Sequence, residues 1–257
     1  MKVSSEYLQT LQNRIEIIGN NIANVNTPGF KEGLLFIEET YDAQERSNTK
    51  AFFGGVVPGN EEFPTLESNL YVGQRIDFRQ GPLVETNMPL DMAIFGEGFF
   101  QVKTPDEQIA YTRVGSFTTD EQGNLVTNSG MLIEPHTVIP TNVSDISVKT
   151  DGTIKGIIDE EVVDLGKISL FRFENPHGLE QIGNNLFLPT AATGEAIMGE
   201  ADSEEFGTIK GGMLERSNTD IVNAMTKLIE AQRAYQFDLR VAKDQDEMMV
   251  QAIQMRG

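Results

Sequence analysis

Leu8, Leu11, Ile15, Ile18, Ile22 and Val25 recur at spacings of 3, 4, 3, 4 and 3. That period puts them on one stripe of an α-helix. A helix is expected from Ser4 or Ser5 to Val25, stopped by Thr27-Pro28-Gly29. Near the other end, Ile221, Met225, Leu228, Tyr235, Leu239, Ala242, Met249 and Ile253 fall on one heptad frame, with Gln232 and Asp246 as polar interruptions. Ser217-Asn218-Thr219-Asp220 reads as a capping box that opens this second helix, which should run almost to Gly257. A lone apolar stripe needs a covering face. The opposite terminus and the same helices of sister molecules are the simplest partners.

Between the helices the pattern changes. Residues 31–80 read as an extended linker with little regular structure, marked by Phe52-Phe53-Gly54-Gly55, Val57-Pro58-Gly59-Asn60 and Pro64. From 81 to 213 the signals are those of strands. Leu90, Met92 and Ile94 alternate, and Phe99, Phe100 and Val102 follow Gly96-Glu97-Gly98, which reads as a bulge or bend. Tyr111 to Thr119 reads as one strand and Leu165 to Phe173 as another, while Asp151-Gly152 suggests a two-residue hairpin. The expected fold is α+β but mainly β. Terminal helices (1–30 and 214–257) form a coiled-coil-like pair around a central antiparallel β domain, an irregular sandwich or barrel.

Charge narrows the possible partners. With 20 Lys and Arg against 39 Asp and Glu, the net charge of −19 disfavours nucleic acid and anionic membrane, which both need a positive face. No run of residues is long and apolar enough for a membrane helix. The absence of Cys removes disulfides, thiolate metal sites and cysteine nucleophiles. The first residues lack the apolar core of a cleaved secretory signal, so any export would use another route.

Candidate chemistry is thin. His136 and His177 each follow a proline and read as turn residues without metal-ligand spacing. Glu61-Glu62, Asp159-Glu160-Glu161 and Glu204-Glu205 sit in loop-like stretches, where a hydrolytic carboxylate pair is a poor fit. No cofactor site and no enzymatic site is expected. Asn20, Asn21, Asn24 and Asn26 crowd the end of the first helix. They mark either a fraying terminus or amides that bridge adjacent subunits.

Four blocks carry a resemblance. They are Asn20 to Lys31, Leu90 to Val102, Tyr111 to Phe117 with Gly123 to Thr127, and Leu214 to Asn218 with Leu228 to Tyr235. Together they resemble the bacterial flagellar rod and hook protein family. The rod members are the better match in length. Tyr71 to Ile76 and Phe78 to Leu83 are more similar to the distal-rod type than to the proximal type. The first helix starts later than is usual in that family.

The resemblance implies a structural subunit of the basal-body rod, exported through the flagellar type III apparatus. Its terminal helices would line a tubular axial structure that transmits torque. The implied partners are further copies of itself, other rod and hook proteins and the export apparatus. The apolar positions of both stripes, together with Asn20, Asn21, Asn24, Asn26 and Gln232, are then the expected subunit interface. The alternative is a secreted β-rich adhesin or binding module on a helical stalk. The lack of Trp and the 5 Tyr argue against sugar recognition by such a module.

Overall fold

The computed structural model describes residues 2–41 and 68–254. Helix α1 (Lys2–Ala23) is followed by the antiparallel pair β1 (Gly33–Tyr41) and β2 (Ser68–Ile76). Next come β3 (Leu83–Glu85), β4 (Met92–Phe95), β5 (Phe100–Lys103), β6 (Ile109–Thr112), β7 (Phe117–Thr119), β8 (Leu125–Thr127) and β9 (Leu132–Glu134). Then follow β10 (Ile146–Val148), β11 (Thr153–Ile158), β12 (Glu161–Lys167), β13 (Ser169–Arg172), β14 (Glu180–Gly183) and β15 (Leu186–Leu188). The chain continues through β16 (Ile197–Glu200), β17 (Thr208–Gly211) and β18 (Met213–Glu215) to helix α2 (Ile221–Gln254).

The largest sheet has seven strands in the order β14-β15-β6-β5-β9-β8-β7, and it is open at both edges rather than closed as a barrel. A three-stranded sheet β10-β11-β12 accompanies it. Two pairs, β4 with β17 and β3 with β18, join early strands to late ones and bring both termini to the same side of the β domain. Met92, Ile94, Phe100, Val102, Ile133, Ile154, Ile168, Leu170 and Ile209 form the main core. A second, aromatic cluster packs Phe99, Tyr111, Phe171, Phe173 and Phe187 around Ile76, with Phe78 against it. Its rings meet edge to face, as at Tyr111 and Phe173 with centroids 4.8 Å apart.

Several expectations need correction. The stretch expected to be linker holds two nine-residue strands, paired in register from Gly33↔Ile76 to Tyr41↔Ser68. The glycine-rich signals at 52–60, together with Pro64 and Glu61-Glu62, lie outside the described residues. Tyr111 to Thr119 is two strands. The chain turns at Arg113–Ser116, where Met92 N–H donates to the Gly115 carbonyl at 2.8 Å. Leu165 to Phe173 divides between β12 and β13, which belong to different sheets. The β10–β11 turn has three residues, Thr150-Asp151-Gly152, with Lys149 N–H closing on the Thr153 carbonyl at 2.9 Å and only Gly152 at positive φ, 83°.

The start of α2 also differs. Asp220 is the cap: its Oδ1 accepts from the N–H groups of Val222 (2.9 Å) and Asn223 (3.3 Å). Ser217 Oγ instead accepts from Thr219 N–H at 3.1 Å, a local turn that precedes the helix. Helix α1 begins at Lys2 and ends at Ala23, earlier at both ends than the periodicity suggests.

Candidate assembly interface

The two helices pair antiparallel. Near one end Arg216 Nη2 donates to Asn26 Oδ1 at 3.1 Å, and further along Gln12 Nε2 donates to the Tyr235 hydroxyl at 2.8 Å. Ile18, Ala224 and Ala231 are buried between them, with Ile15, Ile22 and Leu228 packed alongside. Leu11 is buried as well, while Leu8 and Val25 are half-buried.

The inward face of α2 is rotated from the expected frame. It runs through Ala224, Leu228, Ala231, Tyr235 and Ala242, so only Leu228, Tyr235 and Ala242 are shared with that frame. Ile221 is 40% exposed, Met225 47% and Leu239 44%, and Gln232 is exposed too. The two small alanines allow the helix axes to approach closely, which turns the bulkier positions outward. Val222 and Ile229 join them, so α2 carries an uncovered apolar stripe. The side chains of Asp246, Met249 and Ile253 are outside the described set.

Below the helix pair lies a polar junction. Asn21 is buried and uses both ends of its amide on one residue: Nδ2 donates to the Gly33 carbonyl at 2.8 Å, and Gly33 N–H donates to Oδ1 at 2.9 Å. This clamps the end of α1 to the start of β1. Asn24 donates to the Asn20 carbonyl at 3.0 Å and accepts from Thr27 Oγ1 at 3.1 Å. Those amides are engaged within the chain; Asn20 and Asn26 keep exposed side chains. Gly29 sits at φ 66°, and a Cβ there would meet Val114 N at 2.7 Å. Only glycine lets the chain pass this close to the end of β6.

Three buried charges complete the junction. Lys31 Nζ lies 2.6 Å from Glu215 Oε1 and also donates to the Arg79 carbonyl at 2.9 Å. Gly81 N–H donates to the same Glu215 oxygen at 2.9 Å. Arg113 Nε stands 3.3 Å from Glu215 Oε2, but without hydrogen-bond geometry, and Oε2 has no other partner. Arg113 spends its Nη atoms on the carbonyls of Gly98 (2.6 Å) and Gly96 (2.9 Å), which is the use the bend between β4 and β5 serves. Burial pushes the Lys31 ammonium below its ordinary pKa, and the Glu215 carboxylate opposes that only in part. Burial likewise lowers the Arg113 guanidinium. Such a cluster costs desolvation and returns orientation, since each group has one position in which its charge is met.

Asn218 ties the start of α2 into the same place. Its Oδ1 accepts from Glu32 N–H at 2.8 Å, and its Nδ2 donates to the carbonyls of Asp77 (2.9 Å) and Arg79 (3.1 Å). None of Lys31, Arg113, Glu215, Asn218, Ala224 or Ala231 stood out in the sequence as a site residue. All but Ala224 nevertheless fall within the four blocks that carry the family resemblance.

The chemical candidates have ordinary surroundings. His136 Nε2 is 2.9 Å from Asn124 Oδ1, and His177 Nδ1 is 3.0 Å from the Ile76 carbonyl. Asp159 and Glu160 form the tight β11–β12 turn, both at positive φ, and Glu205 pairs with Arg172 at 3.0 Å. Among the described residues no cluster of His, Asp or Glu could hold a metal ion.

Comparison with known proteins follows the same three regions. Residues 1–31 match the family described as flagella basal body rod protein. Residues 93–156 match the flagellar hook protein FlgE/F/G D1 domain, and 210–255 the C-terminal domain of the flagellar basal body rod FlgEFG proteins. The flagellar basal-body rod protein FlgG of Caulobacter vibrioides is 36% identical over 263 residues, spanning 100% of this chain and 99% of its own. The chain belongs to the flagellar basal-body rod protein family. FlgG of Borreliella burgdorferi is 37% identical over 244 residues, 93% of this chain and 91% of its own. FlgF of Caulobacter vibrioides is 31% identical over 252 residues, 96% of this chain and 94% of its own. This rod protein is a structural component of the flagellar basal body. No helix among its described residues is long and apolar enough to cross a membrane.

Proposed function

We propose that this rod protein is a distal-type subunit that polymerises through α1 and α2 into a tubular axial structure and transmits torque. The observation that carries the reading is the uncovered stripe on α2. Ile221, Met225, Ile229 and Leu239 stay 40–51% exposed even though α1 lies against the neighbouring face of the same helix. Fully burying one such side chain is worth about 1.5–3 kcal/mol, so roughly half of that per residue is left for a neighbouring copy to supply. The distal assignment is supported by similarity to proteins named FlgG over nearly the full length. Export through the flagellar apparatus, contacts with other rod and hook proteins, and the lack of enzymatic activity belong to the same proposal. A secreted binding module finds no counterpart among these relatives.

The mechanism is mechanical. The junction of Asn21, Lys31, Arg113, Glu215 and Asn218 holds the helix pair at one angle to the β domain, so twist applied to the helices reaches the outer domain. A Met225→Glu, Ile229→Glu double variant, expressed in cells lacking the wild-type gene, tests the reading. Basal bodies seen by electron microscopy should lack the distal rod, while the purified variant keeps the circular dichroism of its β domain. Complete rods built from that variant would overturn it.

A further inference from the structure

With no Cys in the chain, methionine supplies every sulfur that an oxidant could reach. Among the described methionines, Met92 and Met131 are buried and Met213 is half-buried. Met88, Met198 and Met248 are the most open, at 62%, 66% and 62%. Met225 is less exposed than these, and what sets it apart is its neighbours.

Met225 stands inside the uncovered stripe of α2. Ile221 lies one turn before it and Ile229 one turn after, with Val222 beside them, and all three are exposed. On this side of the helix the next polar residue is Gln232, two turns on. The thioether is therefore open to small solutes in a free chain, within a patch whose side chains offer it no hydrogen-bond donor. Met88 and Met198 belong to the β domain. Met248, further along α2, points about 140° round from Met225 and so off the stripe.

We propose that Met225 is an oxidation switch for assembly: converted to its sulfoxide by hydrogen peroxide, it keeps the chain out of the polymer. The proposal rests on the polymer reading and adds a modification that regulates it. The thioether sulfur attacks one peroxide oxygen. An S–O bond forms as the O–O bond breaks, the sulfur gives up two electrons, and the other oxygen leaves as water. A flexible apolar side chain thereby becomes a polar one. In the free chain, water hydrogen-bonds the new oxygen. Covered by a neighbouring copy among Ile221, Val222 and Ile229, the same oxygen finds no donor, and burying an unmet acceptor is unfavourable. Oxidation therefore leaves the fold intact and weakens the contact alone. Met88, Met198 and Met248 gain the same oxygen outside the stripe, where it stays in water. Assembly in turn shields Met225, so oxidised copies are left out of a tube that carries torque. Methionine sulfoxide reductases restore the thioether.

A sorting experiment on the wild-type chain tests this. Purified full-length chain is partly oxidised with hydrogen peroxide, offered to isolated rods as seeds and sedimented, and both fractions are read by peptide mass spectrometry. Met225 sulfoxide should be depleted about tenfold or more in the sedimented fraction. Sulfoxide at Met88, Met198 and Met248 should divide evenly. An even division at Met225 as well, or no sulfoxide there in the treated chain, would overturn the switch and leave the polymer reading intact. Untreated chain that never joins the seeds would sink the polymer reading, and the switch with it. Met225→Leu should join the seeds as well after peroxide as before, although its other methionines are oxidised. A loss equal to that of the wild type would overturn the proposal. The sorting result decides even where Met225→Leu does not assemble, because it needs no variant. Treating the oxidised wild-type chain with both sulfoxide reductases should return it to the sedimented fraction.

Discussion

Asn21 shows what one side chain contributes. Its amide satisfies both the N–H and the carbonyl of Gly33, two buried backbone groups that have no strand partner at the point where helix gives way to sheet. Replacing it by Ala leaves both unmet, and an unmet buried polar group costs about 1–3 kcal/mol. Asn21→Ala should therefore lower stability by at least that much in urea unfolding, and Asn20→Ala, at an exposed position, should change it by less than about 0.5 kcal/mol. Lys31→Met should cost more. It strands the Glu215 carboxylate, and breaking a buried pair on one side typically costs about 3–5 kcal/mol. A Lys31→Met, Glu215→Leu double variant should recover part of that loss, and a double-mutant cycle measures it.

Asp77 adds a pH dependence to the same junction. Burial raises its carboxyl, but the hydrogen bonds from the Arg79 guanidinium and backbone outweigh that and hold it below the ordinary carboxylate range. A carboxyl lowered on folding stabilises the fold once pH exceeds its unfolded value, and that stability is lost as pH falls through the folded one. The loss should begin below about pH 4. Acid unfolding of Asp77→Asn, followed by fluorescence of an introduced tryptophan, should be flatter over that window than that of the parent.

At the scale of elements, the helix pair and the β1–β2 pair behave differently as signals. The stripe of α1 was legible because its five apolar residues from Leu8 to Ile22 are large and recur every three or four positions, Val25 falling just past the helix. The frame of α2 was legible in period, but not which of its positions would meet α1. Periodicity weights bulky residues, whereas close approach of two helices selects small ones, and Ala224 and Ala231 took the inner face. The β1–β2 pair was not legible. Leu34-Leu35-Phe36-Ile37 is a run without alternation, and its partner strand lies beyond a long intervening segment. Two strands paired over nine residues stiffen what would otherwise be a tether. Replacing Phe36 and Val72 by Gly should leave the β core folded, and the assembled rods should bend more easily in cryo-electron micrographs.

At the scale of the molecule, the buried area is uneven. The β domain has a core of residues near zero exposure, while among the described apolar side chains of the helix pair only Leu11, Ile18, Ala224 and Ala231 are buried. Helices this thinly covered gain little over the entropy of ordering them. Hydrogen exchange on the soluble chain should show slow amides in β4, β5 and β17 and fast ones toward the start of α1 and the far half of α2. Slow exchange at both helix ends in dilute solution would contradict this.

Readable from the sequence alone were the local matters: two amphipathic helices at the ends, strands between them, and the blocks by which the family is recognised. These depend on periods of two and of three to four residues, and on side chains within a few positions of each other. Long-range closure of the chain set which face of α2 turns inward, that Lys31 meets Glu215 across 184 positions, and that the run from Leu165 to Phe173 divides between the three-stranded sheet and the two-stranded β13–β16 pair. Those outcomes depend on which distant groups are brought within bonding range, and a charge or a small side chain carries no sign of its partner until the chain has closed around it.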